Sequence, residues 1–425
     1  MLLQFTVENV LSFRDETVLS LLAVPGVEHA PGQVIEVPGI GPVLRVVALY
    51  GANASGKSNL VKALQMAAAL VLVGTLPGRP IRVSPFKLAP DAWRQPSRFE
   101  FEIWADGFRW SYGFACTAAR VEAEWLYRDA GDGENNVFLR STGDGDDVSV
   151  EIGDALRFDV DRRQFWKFVA EGTRPEQLFL AEASQRNVKE LAPLLRFFWG
   201  LWGFVLTAPN VFAKRDDVTS FAAELLRGAG AGVAGLEVVL PRNEAEDLDS
   251  VESLAGLHAR RTENAKPKIR FLHETRGVTE DVFFEEEEES DGTRRLVELA
   301  PNWFLLEKTD ATIVIDELDR SLHSLLSRNL LERFLASDSA SSGQLIFTTH
   351  DTNLLDLELL PQDSIRFVEK DLGGGSSIYS LAEFKAEQLE QLGNKIESGY
   401  LLGRFGGTPF LRNPRIAATT KKNAS

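Results

Sequence analysis

The sequence predicts an α/β fold, with a core of parallel strands, a separate antiparallel β region and a mainly helical insertion. Three observations carry this. The runs VVALY (46–50), ATIVI (311–315) and LIFTT (345–349) are continuously apolar and β-branched, as strands covered on both faces must be. Leu3, Phe5 and Val7 interleave with polar residues, and so do Phe99, Phe101 and Ile103, which is the period of half-buried antiparallel strands. QLFLAEASQRNVKELAPLLRFF (177–198) reads as helix.

Composition sets the outer limits. With 425 residues and 44% hydrophobic content, the chain can bury a large core in two or three lobes. A net charge of −16 argues against a strongly basic body for nucleic acid or anionic membrane, although a local basic patch stays possible. The single cysteine, Cys116, cannot make an internal disulfide. MLLQFTVENV has no charged leader segment, and the apolar stretch Met66–Val73 is too short to span a bilayer. The expectation is a soluble cytoplasmic protein.

Along the chain, residues 1–160 form a first lobe, 161–270 the helical insertion, 271–415 a second lobe and 416–425 a disordered tail. VEAEWLY (121–127) adds an antiparallel strand to the first lobe. Thr173-Arg-Pro-Glu176 has the spacing of a capping box opening the helical run. GAGAGVAG (228–235) reads as a flexible joint rather than a phosphate loop, because no Lys-Ser follows it. RNEAEDLDSVES (242–253) reads as a solvated helix, and no internal repeat or sustained heptad is present.

GANASGKS (51–58) fits G-x-x-x-x-G-K-[ST], directly after a buried strand and before the apolar helix NLVKALQMAAAL. Coincidence is the competing reading, and that context makes it small. Gly51 and Gly56 let the backbone curl so that its N–H groups face phosphate oxygens. Lys57 reaches the terminal phosphates and Ser58 can ligate Mg²⁺. The nucleotide-binding set is therefore Gly51, Asn53, Ala54, Ser55, Gly56, Lys57, Ser58 and Asn59. In IVIDELD (313–319), Asp316 ends a buried strand where a carboxylate can hold Mg²⁺, and Glu317 can serve as general base. Alone, this would read equally as an acidic turn before a helix. LIFTTHD (345–351) puts His350 at the end of a third strand, in reach of a γ-phosphate, whereas His29, His258, His273 and His323 read as ordinary surface or packing residues.

These parts, in this order, resemble the ABC-type ATPase superfamily, in particular its SMC-like soluble branch. The resemblance implies an ABC-type ATPase head: a P-loop core with an antiparallel β subdomain. In FFEEEEESDGTRR (283–295), Ser290, Gly292 and Thr293 look like the signature segment, which such ATPases use in trans over the γ-phosphate held by a partner's P-loop. That implies at least a dimer enclosing ATP and Mg²⁺. Asp291 stands where a glycine is usual, Thr293 where glutamine is usual, and His323 where the loop after the acidic pair usually has aspartate. Glu285 to Glu289 reads first as a solvated face and second as a negative gate toward a partner's arginines.

The match narrows further. MLLQFTVENVLSFRDE, PFKLAP (85–90), SDGTRRL, IDELDRSLH and ESGYLLGRFGGTPFL together resemble the RloA/AbiLii-type abortive-infection ATPases over most of the chain, with 160–270 least defined. The resemblance implies phage defence, a phage-derived trigger and an effector encoded nearby, such as a TOPRIM-like nuclease. Gln95 is the candidate for the γ-phosphate-sensing glutamine, or else a surface turn. Asn9, Ser12, Phe13 and Arg14 lie near the adenine or α-phosphate, or else form a hairpin turn. Arg404 in GYLLGRFGG faces an anionic partner, or else sits on a packing turn.

A regulatory ATPase controlling an effector is thus the leading expectation. A RecF- or SMC-like DNA-repair ATPase acting directly on DNA is the alternative, and would call for a basic groove or long coiled coils. A transporter subunit would call for an ordinary LSGGQ-like signature. No nuclease-like carboxylate cluster emerges in 351–425, where Asp351, Asp356 and Asp363 are scattered.

Overall fold

The computed structural model describes residues 1–131, 133–156, 159–202, 211–240, 267–275, 280–336, 342–384 and 396–406. The chain opens with strands Leu2–Glu8 (β1), Thr17–Ser20 (β2), Val34–Val37 (β3), Gly41–Leu44 (β4) and Val46–Tyr50 (β5), then helix Lys57–Leu72 (α1). Strands Ser97–Ala105 (β6), Phe108–Cys116 (β7), Val121–Asp129 (β8), Glu134–Thr142 (β9) and Val148–Ile152 (β10) follow. Next come helices Val160–Glu171 (α2), Phe179–Gln185 (α3), Ala192–Trp202 (α4) and Asp216–Gly228 (α5), and strand Val233–Val239 (β11). The second half holds Lys268–His273 (β12), Val282–Glu285 (β13), helix Asp291–Lys308 (α6), Thr312–Ile315 (β14), helix Ser324–Ala336 (α7), Gln344–Thr348 (β15), Ile365–Lys370 (β16), Ser376–Ser380 (β17) and the short helix Ile396–Leu401 (α8).

One sheet has the order β14-β15-β5-β16-β17, parallel except for β17. Its continuously apolar strands serve two cores at once. Val47, Leu49, Val314, Ile346 and Val368 point into one, while Val46, Ala48, Tyr50, Ile313, Ile315, Leu345, Phe347 and Phe367 point into the other. A sheet buried on both faces has no room for polar alternation, which is why these runs lacked it. The first core also holds the antiparallel sheet β10-β9-β8-β7-β6-β1-β2, with β6 alternating buried and half-buried residues along most of its length. β1 is more enclosed than its alternation implied, since only Gln4 and Glu8 are not buried.

Helices from the expected insertion belong to that same core. Phe198 of α4 packs edge-on against Phe101 at 5.1 Å between ring centroids, and α4 also touches α1 and β14. Each such fully buried aromatic contributes roughly 1.5–3 kcal/mol relative to exposure. The described part of 161–270 also contains β11, which pairs with β12 and β13 in a three-stranded antiparallel sheet. GAGAGVAG is the end of α5, an exposed glycine turn and the start of β11, where Val233 is buried. The segment 242–253 and the tail after Pro414 lie outside the described residues.

The capping box expected at Thr173 to Glu176 does not form. Thr173 is buried and its hydroxyl donates to the Val169 carbonyl, 3.2 Å away, at the end of α2. The next helix, α3, begins at Phe179 and is capped from across the fold. Buried Glu124 on β8 accepts the Phe179 and Leu180 N–H groups at 2.6 and 3.0 Å, and the Tyr112 hydroxyl at 3.0 Å. A tertiary carboxylate does the work a local side chain was expected to do.

Among the described residues, no helix is long and apolar enough to cross a membrane.

Candidate functional site

All four parallel strands end at one edge of the sheet, where open α/β folds place ligands. β5 runs into the loop 51–56, β14 into Asp316 and Glu317, β15 into Thr349 and His350, and β16 ends at Lys370. Asn53, Ala54, Ser55, Gly56, Lys57, Ser58, Asn59, Glu317, Thr348, His350 and Lys370 line a single open cavity of about 480 Å³ there.

The loop is built around two glycines that other residues would strain. Gly51 has φ +153° and Gly56 φ +122°. A Cβ on Gly51 would strike the Val368 carbonyl. One on Gly56 would strike Ser376 Oγ and lie 2.9 Å from Ser12 Oγ. Behind the loop, Ser376 Oγ donates to the Ser55 carbonyl at 2.6 Å and Asn59 Nδ2 donates to Ser12 Oγ at 2.8 Å. Ser12 thus braces the loop from behind. Asn9 is a buried clip, its amide donating to the Ala92 and Gln95 carbonyls at 2.8 and 2.9 Å. Phe13 is buried, and Arg14 pairs with Asp15 and Asp371. None of the four, nor exposed Gln95, lines the cavity, so for Asn9 and Gln95 the turn readings describe the geometry better.

Lys57 is buried and folds back on its own loop, its Nζ donating to the Gly51 carbonyl at 2.6 Å and the Ala52 carbonyl at 3.1 Å. Burial pushes its ammonium down to about 8, and the carboxylates of Asp316, Asp319 and Glu317 only partly oppose this. Ser58 Oγ donates to Asp316 Oδ1 at 3.1 Å. A hydroxyl and a carboxylate oxygen side by side are hard donors that fit Mg²⁺, which takes few protein ligands and leaves the rest to water and phosphate. The described residues contain no cluster of three or more His, Cys, Asp or Glu fit for a metal.

Glu317 is exposed and has φ +52°, the left-handed region that glutamate seldom adopts. Its N–H donates to Thr348 Oγ1 at 2.7 Å, and its carbonyl accepts from Arg295 Nη2 at 3.1 Å. His350 is exposed at the cavity wall, its N–H donating to Asp319 Oδ2 at 3.3 Å. Partial burial, then the Lys57 charge, hold its imidazole below the ordinary value, so it is neutral near pH 7.

Ser290, Gly292 and Thr293 do not line the cavity. Ser290 is exposed and caps α6, accepting the Thr293 N–H at 3.1 Å. Asp291 is exposed and pairs with Arg294 one turn on. His323 caps α7 by accepting the Leu325 N–H at 3.2 Å. Glu285 to Glu288 are exposed, as a solvated face should be, but Glu289 is buried against His273. His29 pairs with the fully buried Asp363 at 3.0 Å, and His258 lies outside the described residues. GYLLGRF is a packing turn: Tyr400 and Phe405 stack on Phe367 at 5.6 and 5.8 Å, while Arg404 is exposed.

Four residues at or beside this site were not read from the sequence. Lys370 ends IRFVEK (365–370), whose Arg366 breaks the apolar run that marks the other parallel strands. Thr348 was hidden because a β-branched residue in a strand looks structural. Asp319 and Arg295 carried no pattern of their own; only the fold brings them to Lys57 and Glu317.

A family model described as "AAA domain, putative AbiEii toxin, Type IV TA system" matches residues 46–356. No curated protein matches the chain in sequence. Among solved structures, the SMC head domain from Thermotoga maritima aligns with a TM-score of 0.41 and 14% identity, over 89% of this chain and 98% of that one. The SmcHead bound to the C-winged helix domain of ScpA aligns with a TM-score of 0.45 and 12% identity, over 91% and 99%.

Proposed function

Because the chain belongs to this AAA-domain family, we propose that it hydrolyses ATP at a site completed by a second copy of itself and uses that cycle to control another protein. One observation carries the reading. Residues 53–59, Glu317 and His350 converge on one cavity, with Asp316 joined to Ser58 beside it, whereas exposed Ser290 is not part of its lining. Ser290, open to solvent and outside the lining of its own cavity, is available to a second copy.

In this reading the loop N–H groups and Lys57 bind the phosphates. Ser58 and Asp316 would hold Mg²⁺, which when bound offsets negative charge on the phosphate oxygens. A water oxygen attacks the γ-phosphorus, the bond to the β–γ bridging oxygen breaks, and the water's proton passes to the Glu317 carboxylate. Neutral His350 orients by hydrogen bonding. Ser290 and Gly292 of the second copy close the site, while Thr293, which is buried, holds Ser290 Oγ through its N–H. Asp291 is compatible with this role because Arg294 neutralises it locally. The family's description as a putative toxin supports a role in abortive infection beside a second component, such as an effector nuclease. Net charge of −16 gives no support to direct DNA binding.

The test is Glu317→Gln. It should bind ATP within about threefold of wild type and lose roughly 10²–10⁴-fold in kcat. With ATP it should also persist as a dimer by light scattering. Hydrolysis at the wild-type rate would remove Glu317 from its assigned role. An ATP-bound variant that stays monomeric would remove the trans arrangement.

A further inference from the structure

We propose that Thr348 is a positioning residue, whose hydroxyl fixes the Asp316 carboxylate and the Glu317 backbone in one arrangement; this rests on the ATPase reading above. Thr348 is the last residue of β15, is fully buried and still borders the cavity. Its Oγ1 donates to Asp316 Oδ1 at 2.6 Å and accepts the Glu317 N–H at 2.7 Å. A hydroxyl has one hydrogen to give, and here it goes to the carboxylate, which leaves a lone pair for the N–H. Both capacities are used on two consecutive residues with different assigned tasks. The carboxylate oxygen it grips is also the one Ser58 reaches, so Asp316 is held between α1 and β15. Glu317 sits at φ +52°, a conformation that persists only when its surroundings over-determine it. Thr348 supplies the hold on the N–H, as Arg295 does on the carbonyl.

A threonine present only for packing would behave differently from one present for its hydroxyl. Thr348→Val keeps the shape and loses the oxygen, and Thr348→Ser does the reverse. We would measure kcat and KM for ATP, the affinity for a fluorescent ATP analogue with and without Mg²⁺, and the thermal midpoint. Thr348→Val should lose at least about tenfold in kcat, as expected for one hydrogen bond to a charged group. Without Mg²⁺ it should bind the analogue within about threefold of wild type, and it should gain less from added Mg²⁺ than wild type does. Thr348→Ser should recover most of the loss. Thr348→Ala carries the same comparison against serine if the valine variant does not fold. Wild-type turnover and Mg²⁺ response in Thr348→Val, beside an inactive Glu317→Gln, would overturn this proposal alone. So would a serine variant as impaired as the valine one. A wild-type chain without Mg²⁺-dependent hydrolysis would overturn the parent reading and this one with it.

Discussion

Raising the pH through 8 should weaken nucleotide binding. Lys57 is only 6% exposed, and burial lowers its ammonium from the usual 10.5 to about 8. Its hydrogen-bond partners are the neutral carbonyls of Gly51 and Ala52, which accept but bring no full charge. A bound polyphosphate supplies that charge and keeps the lysine protonated in the complex well above 8. Below pH 8 the free protein already carries the proton, so affinity is flat. Above it, binding must take a proton up, and each pH unit costs up to about 1.36 kcal/mol, or tenfold. Affinity at pH 9 should therefore be roughly tenfold below that at pH 7. The phosphate's own last ionisation falls near pH 6 and does not mask the effect. Titration calorimetry in two buffers of different ionisation enthalpy, between pH 7 and 9.5, reads the proton directly. Uptake should rise toward one as affinity falls. Flat affinity with no uptake across this range would show that Lys57 is fully charged in the free protein, and the burial argument would fail. Lys57→Arg, whose guanidinium stays charged throughout, should flatten the profile of whatever binding it retains.

Gly56→Ala should abolish nucleotide binding and cost about 2 kcal/mol or more, because φ +122° and the Ser376 hydroxyl leave no place for a methyl group; wild-type affinity in a nucleotide titration would contradict this. Glu124→Ala should lower unfolding free energy by about 3 kcal/mol or more, at about 1 kcal/mol or more for each buried donor left unpaired, since it removes the acceptor of the Phe179 and Leu180 N–H groups that cap α3 and of the Tyr112 hydroxyl. Urea denaturation measures the loss, and kcat per folded molecule should not change.

The parts of this molecule visible in its sequence are those where chemistry or burial repeats along the chain. A strand covered on both faces must be apolar at every position, so β5, β14 and β15 were legible without any structural information. The loop at 51–58 was legible because phosphate binding needs glycines at set places and a lysine after them. What escaped was contact between distant residues. The cap of α3 comes from Glu124, 55 residues before Phe179, and nothing in the spacing of Thr173 and Glu176 could reveal that the local box goes unused. The resemblance put Asn9 near the nucleotide as an early loop residue, yet the fold spends its side-chain amide on backbone groups from Phe86 to Pro96.

The same distinction bears on how a chain with net charge −16 could hold a triphosphate. Asp316, Glu317 and Asp319 all lie close enough to Lys57 to raise its proton affinity, so the sheet edge already concentrates negative charge. A polyanion entering there meets repulsion that Lys57 alone does not cancel. The N-terminus of α1 and the exposed Lys370 at the cavity wall oppose it in part. In the proposed function a divalent cation at Ser58 and Asp316, where a hydroxyl and a carboxylate oxygen meet at 3.1 Å, would offset the remainder. Nucleotide affinity should then depend steeply on Mg²⁺, and the three acids become part of selectivity: they penalise any anion that arrives without its cation.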